Sequence, residues 1–216
     1  MNFIKKLLAE SLKTGALGMS TGLVYTHAQQ TPLEEIVELA EIVAKFKGVY
    51  TTHVRGEKED LLEAVEEATR IGDGARVKVH TSHLKALGRQ NWPKMKEALA
   101  IIDQAKERGI DVTFDIYPYT YTGSVLYTFL PAWVAEGGKK MMIRRLKDPL
   151  NRKKVITEMK ASKFEYGRIE ITISPLDRTL ARKKISEIAV SQEKSAEETV
   201  IDILVASEGR AICSRF

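Results

Sequence analysis

The sequence predicts an α/β fold built on a parallel sheet. Three observations lead there. Strand and helix patterns alternate from about residue 16 to 116, the unit recurs about every 30 residues, and each connection holds a helix suited to a crossover. The pattern alone leaves open whether such a sheet closes into a barrel or stays open as a doubly wound layer. With 216 residues and 44% hydrophobic content, the chain has material for a sizeable core.

Phe3, Ile4, Leu7, Leu8 and Leu12 recur at helical spacing at the N-terminus. Ala16 to Ser20 is a short strand of small residues. A helix from about Pro32 to Lys47 follows, with Thr31 and Glu34 as a capping box, Pro32 at the first position and Gly48 at the exit. Its apolar stripe is Leu33, Ile36, Val37, Ala40, Val43 and Ala44. Strand two is expected at Val49 to Val54, and a helix from about Lys58 to Ile71 buries Leu61, Leu62, Val65 and Ala68. Strand three, Arg76 to His83, alternates, and Asn91 is expected to cap a helix through Arg108, with Met95, Ala98, Leu99, Ile102 and Ala105 as its stripe and Gly109 as its stop. Ile110 to Ile116 is strand four. After Pro118 the rhythm breaks into an aromatic loop with short helices and then a basic helical stretch to about Lys160. A strand at Arg168 to Ser174, helices near Ile185 and at Ala196 to Ser207, and a final strand start at Ala211 complete the reading. The division is thus one incomplete domain: units over 1–118, an insertion and basic helix over 119–165, and a later segment over 166–216.

The net charge of +5 invites a nucleic-acid partner, but nine Lys or Arg fall within residues 139–160 and the remainder is nearly balanced. No nucleic-acid-binding motif accompanies them, so they read as a solvated helix face. A lone cysteine, Cys213, excludes a disulfide framework and a Cys-only zinc cluster, and no apolar run spans a bilayer. A cytoplasmic protein is expected, with neither membrane nor nucleic acid as partner.

Strand two ends in Thr-His-Val-Arg (Thr52 to Arg55) and strand three in Ser-His-Leu-Lys (Ser82 to Lys85). In parallel βα folds the carboxyl ends of adjacent strands meet where ligands bind, so His53 and His83 are expected to point to one place. Alternation puts His53 on a face with Val49, Thr51 and Arg55, and His83 on a face with Val77, Val79 and Lys85. Two imidazoles at neighbouring strand ends form half of a zinc site, while hydrogen-bonding histidines are the competing reading. His80 falls opposite His83 and reads as structural, and His27 as surface. Asp115, Tyr117 and Tyr119 close the fourth strand, where they meet an anionic or carbonyl group or pack as aromatics. Lys85 and Arg55 suit a carboxylate.

The segments GALGMSTGLVY, VYTTHVRGE, TSHLKALGRQNW, DVTFDIYPYT and LPAWVAEGG, in this order, resemble the D-aminoacylase branch of the amidohydrolase superfamily, the N-acyl-D-amino-acid deacylases. The resemblance implies a partial TIM-type (β/α)8 barrel of about four to five units, open or completed by another chain. It implies zinc, held by His53 and His83, and hydrolysis of an N-acyl-D-amino acid to a D-amino acid and a carboxylate. Lys85, Tyr25 and Tyr117 match substrate-binding positions, Ser124 matches more loosely, and Arg55 goes with them as a supporting or substrate residue. The family's His-x-His pair, early cysteine and late proton-shuttling aspartate have no counterpart here, so no catalytic base is identifiable. The chain is therefore expected to be a fragment from an interrupted frame, inactive alone, and to pair with a complementary chain or itself. A related amidohydrolase acting on cyclic amides or dipeptides, and a non-catalytic basic oligomeric subunit, are the alternatives.

Overall fold

The computed structural model describes residues 1–25, 28–162, 164–175 and 177–215. His27, expected at the surface, lies outside them. The chain divides into two compact units, Met1–Tyr117 and Pro118–Phe216.

The first unit runs α1 (Asn2–Lys13), β1 (Gly18–Gly22), α2 (Leu33–Lys45), β2 (Val49–His53), α3 (Leu61–Ala75), β3 (Lys78–Thr81), α4 (Lys94–Glu107) and β4 (Val112–Phe114). The four strands form one parallel sheet in sequential order, and the barrel expected from the family is not closed. Helix stripes explain why the sheet is covered on one side. Ile36, Ala40 and Val43 of α2, Leu61, Val65, Ala68 and Ile71 of α3, and Ala98, Ile102 and Ala105 of α4 share a core with Tyr50, Val79 and Val112. The other side of the sheet is polar. Ser20, Thr51, His80 and Thr113 lie in register across it, and His53 follows Thr51 on the same side.

Several local expectations are corrected. No capping box starts α2. Pro32 is its N-cap without a side-chain hydrogen bond, and the Thr31 carbonyl accepts from Arg55 instead. Asn91 does not cap α4. It is buried in a turn and donates to the Leu87 carbonyl at 2.9 Å, while Pro93 precedes the helix. Leu99 stays exposed, and so do Phe3, Ile4 and Leu7 of α1. Helix α3 runs four residues beyond Ile71, to Ala75. Gly72 permits this, since a Cβ there would stand 2.9 Å from side chains of Ile110 and Val79.

The second unit contains β5 (Thr122–Val125), α5 (Ala132–Ala135), α6 (Lys139–Lys147), α7 (Pro149–Ala161), β6 (Ile169–Ile173), α8 (Ile185–Ser191), α9 (Ala196–Ala206) and β7 (Ile212–Arg215). Its sheet is antiparallel in the order β5-β7-β6. The segment after Pro118 thus supplies a strand where a loop was expected. Leu126, Val134, Leu146, Val155, Ile169, Ile171, Val200, Leu204 and Cys213 share its core. Most cations of α6 and α7 face solvent. Arg145 and Arg152 are partnered instead, by the Val134 and Glu136 carbonyls and by Asp202 at 2.7 Å. No described helix is long and apolar enough to cross a membrane.

Candidate metal centre

The end of β2 carries His53, and a turn after β3 carries His83. The sequence expectation about faces fails in an informative way. Register pairs Thr51 with His80 and Thr52 with Thr81, so an extended chain through His83 would send its side chain to the helix-covered side, away from His53. The strand ends at Thr81 instead, and His83 adopts a left-handed backbone with φ 43°. That conformation is costly for a residue with a Cβ, and it is held from the neighbouring strand end. Asp115 Oδ1 accepts from His83 N at 2.7 Å, Leu84 N donates to the Asp115 carbonyl at 2.9 Å, and Asp115 N donates to the Thr81 carbonyl at 3.2 Å. The other carboxylate oxygen bonds His80 Nε2 at 2.8 Å, and His80 Nδ1 meets Thr113 Oγ1 at 2.8 Å. The hydrogen bond from His80, aided by the His83 amide, keeps the Asp115 carboxyl below its ordinary range despite desolvation. His80 therefore anchors Asp115, and Asp115 anchors the turn.

The outcome is a direct meeting of the two imidazoles. His53 Nδ1 and His83 Nε2 are 2.7 Å apart, with ring centroids at 4.4 Å. Lys85 Nζ lies 2.9 Å from His83 Nδ1 and from the His83 carbonyl, and also bonds Glu57 Oε1. An ammonium only donates, so His83 Nδ1 presents its lone pair to Lys85 and its Nε2 proton goes to His53 Nδ1. Burial pushes the His53 imidazole down to about 4; Glu57 opposes this, while His83 and Lys85 assist it. His53 is neutral near pH 7, the state a metal ligand requires. Desolvation works against ionisation of Glu57, but the His83 and Lys85 contacts outweigh it and its carboxyl sits below the ordinary range.

His53, Glu57 and His83 each offer a donor atom within 4.8 Å of the others. Glu57 carried no role in the sequence reading, although it closes the VYTTHVRGE segment four residues after His53. It follows the end of β2, in the irregular stretch before α3, where no periodicity fixes a direction.

The remaining sequence candidates divide. Tyr25 stacks on His53 with centroids 5.4 Å apart and planes at 21°. Gly22 makes room for it, since a Cβ there would meet the Tyr25 ring at 2.6 Å. The Tyr117 ring lies 5.7 Å from Lys85 Nζ. Arg55 is engaged elsewhere: it pairs with Glu67 at 2.7 Å and donates to the carbonyls of Gln29 and Thr31. It pins the backbone at Gln29 and Thr31, just before α2. Ser124 lies in the second unit on β5, where Thr128 Oγ1 donates to its hydroxyl at 3.4 Å. Tyr119 also lies in that unit, tilted against Tyr121 at 5.8 Å.

No family model matches the chain. Over 123 residues, 57% of its length, it is 37% identical to the D-aminoacylase of Alcaligenes xylosoxydans xylosoxydans. It is 35% identical over the same length to the N-acyl-D-glutamate deacylase of that organism. The chain spans 25% of the length of each of these curated relatives. Among solved structures it is similar to N-acyl-D-glutamate deacylase from Bordetella bronchiseptica, complexed with zinc and a phosphonate mimic of the reaction's tetrahedral intermediate. There the TM-score is 0.76 at 26% identity, covering 99% of this chain and 37% of that one. A D-aminoacylase described as defining a novel subset of amidohydrolases gives a TM-score of 0.72 at 30% identity, covering 98% of this chain and 37% of that one. The resemblance to the central part of the D-aminoacylase family, drawn above from five sequence segments, is thus found again in both sequence and fold.

Proposed function

We propose that this chain, a likeness of the central part of the D-aminoacylases, supplies the zinc-binding and substrate-binding strand ends of an N-acyl-D-amino-acid deacylase. The observation that carries the reading is the meeting of the His53 and His83 imidazoles, 2.7 Å apart, with Lys85 and Tyr25 against them. Zinc fits the donor set, because neutral imidazoles and an ionised carboxylate are ligand types it takes. His53 and His83 would hold such an ion through one ring nitrogen each. Zinc bound there supplies polarisation of the scissile carbonyl and activation of water.

The chain's own residues do the rest of the work assigned to it. Burial keeps His53 neutral, and both rings are aimed by their neighbours, Asp115 through the backbone of His83 and Tyr25 through the ring of His53. Lys85 offers a cation for the carboxylate of an N-acyl-D-amino acid, and Tyr117 forms the wall beside it. Tyr25 covers His53 from the other side and helps exclude water. The described cluster offers two histidines and one carboxylate, fewer groups than metal-assisted hydrolysis with a separate proton shuttle needs. Completion by a complementary chain or a second copy goes with this reading. A cytoplasmic setting does too, since a single cysteine leaves no disulfide framework within the chain.

The test is a hybrid in which residues 15–138 replace the matching segment of a D-aminoacylase. The zinc-loaded hybrid is expected to hydrolyse N-acetyl-D-amino acids in preference to their L isomers, and His53→Ala to abolish turnover. The isolated chain is expected to show no turnover above a zinc blank. A hybrid that folds and holds zinc yet hydrolyses neither isomer contradicts the proposal.

A further inference from the structure

The Glu57 side chain is only 11% exposed, inside the cluster. Its Oε1 lies 3.5 Å from His83 Nδ1 and 3.9 Å from His53 Nε2. Donors sharing a tetrahedral zinc at bonds of about 2.0–2.1 Å stand roughly 3.3 Å from each other, so the carboxylate is near ligand spacing from both rings. Its backbone is tied down as well, since Leu87 N donates to the Glu57 carbonyl at 2.6 Å. That bond joins the segment that follows His53 to the segment after β3, which carries His83.

A cation already sits on these donors. Lys85 Nζ bonds Glu57 Oε1 and lies 2.9 Å from His83 Nδ1. An ammonium bridges them only if the carboxylate is charged and the imidazole nitrogen presents a lone pair, the same two conditions a divalent metal imposes. An ion held by Glu57 and His83 would stand within contact range of that ammonium, and like charges at such distance in a half-buried site repel strongly.

We propose that Glu57 is a third protein ligand of the metal centre, with His53 and His83, and that Lys85 competes internally for its donors and moves off them when metal binds. The inference rests on the functional reading above and deepens it. Two histidines and one carboxylate leave a fourth position open for water or substrate, as in catalytic zinc sites. The displaced ammonium then becomes available to a substrate carboxylate, so metal loading and substrate recognition share one moving part. If Glu57 were only the counter-ion of Lys85, shortening it to Asp with its charge kept would leave the spectrum of a bound metal unchanged.

Titration of the full chain with Co2+, followed by visible absorption and equilibrium dialysis, separates these readings. Glu57→Gln is expected to weaken Co2+ binding by at least about tenfold. Lys85→Met is expected to strengthen it roughly tenfold. Wild-type affinity in a folded Glu57→Gln variant overturns the ligand assignment, and unchanged or weaker binding in Lys85→Met overturns the competitor role. Should Glu57→Gln fail to fold by circular dichroism, Glu57→Asp takes its place. A shifted Co2+ spectrum is then expected, and an unchanged spectrum overturns the ligand assignment. If neither the wild-type chain nor Lys85→Met binds Co2+, the metal-centre reading itself fails, an outcome distinct from loss of Glu57's part alone.

Discussion

In the first unit the side of the sheet away from α2, α3 and α4 presents Ser20, Thr51, His53, His80 and Thr113, whereas the three-stranded sheet of the second unit contributes Ile169, Ile171 and Cys213 to an apolar core. The contrast separates two uses of a strand. A strand with one covered and one polar side can bring titratable groups together at its end, where the first unit keeps two histidines, a carboxylate and a lysine. In the second unit the buried thiol and the buried phenol of Tyr166 are both pushed up by desolvation, which makes them poor nucleophiles and poor ligands. Chemistry is expected from the first unit and stability from the second.

Substitutions that attack one unit and spare the other can break this comparison. Ile171→Ala empties a fully buried position in the second unit and is expected to cost about 3–4 kcal/mol in urea unfolding, with zinc affinity of the folded chain unchanged. An equal loss of zinc affinity would show that the units do not divide the work. His53→Ala in the first unit is expected to weaken zinc binding about 100-fold by calorimetry, whereas Cys213→Ser leaves it alone.

A third prediction uses pH. The folded His53 titrates near 4 against an ordinary 6.5, so the unfolded chain takes up the proton first as pH falls. Its contribution is fully present above pH 6.5 and is lost progressively down to about 4. Roughly 2 kcal/mol is expected to disappear over that window in chelator-treated protein, after allowing for solvent at the edge of the cluster. Thermal unfolding against pH checks this, and His53→Leu should flatten the profile. The smallest effect is expected from Asp115→Asn, which keeps the shape but weakens the brace on the His83 turn. About tenfold weaker zinc binding with unchanged thermal stability is the expected pattern.

The helices and the sheet order of the first unit were readable because their cause is local. Ile36, Ala40 and Val43 announce one covered stripe, and the repeated units announce crossovers. His53 and His83 were readable as partners from their places at successive strand ends, and the structure brings their rings together. The reason given by alternation was wrong, because the left-handed turn at His83 depends on a carboxylate 32 residues away on another strand. Glu57 escaped notice for a similar reason. Its position follows from Lys85 and from a backbone bond to Leu87, neither of which leaves a mark in local periodicity. The antiparallel pairing of β5 with β7 joins residues about 90 positions apart, such as Ser124 and Cys213, across an aromatic stretch that reads as loop.

X-ray absorption at the zinc edge, on the chain loaded with one equivalent of zinc, tests the central claim most directly. The account predicts imidazole scattering from two histidines and a first shell of nitrogen and oxygen at about 2.0–2.1 Å. A sulfur shell near 2.3 Å, or a shell of water alone, would contradict it, because either would place the metal away from His53 and His83.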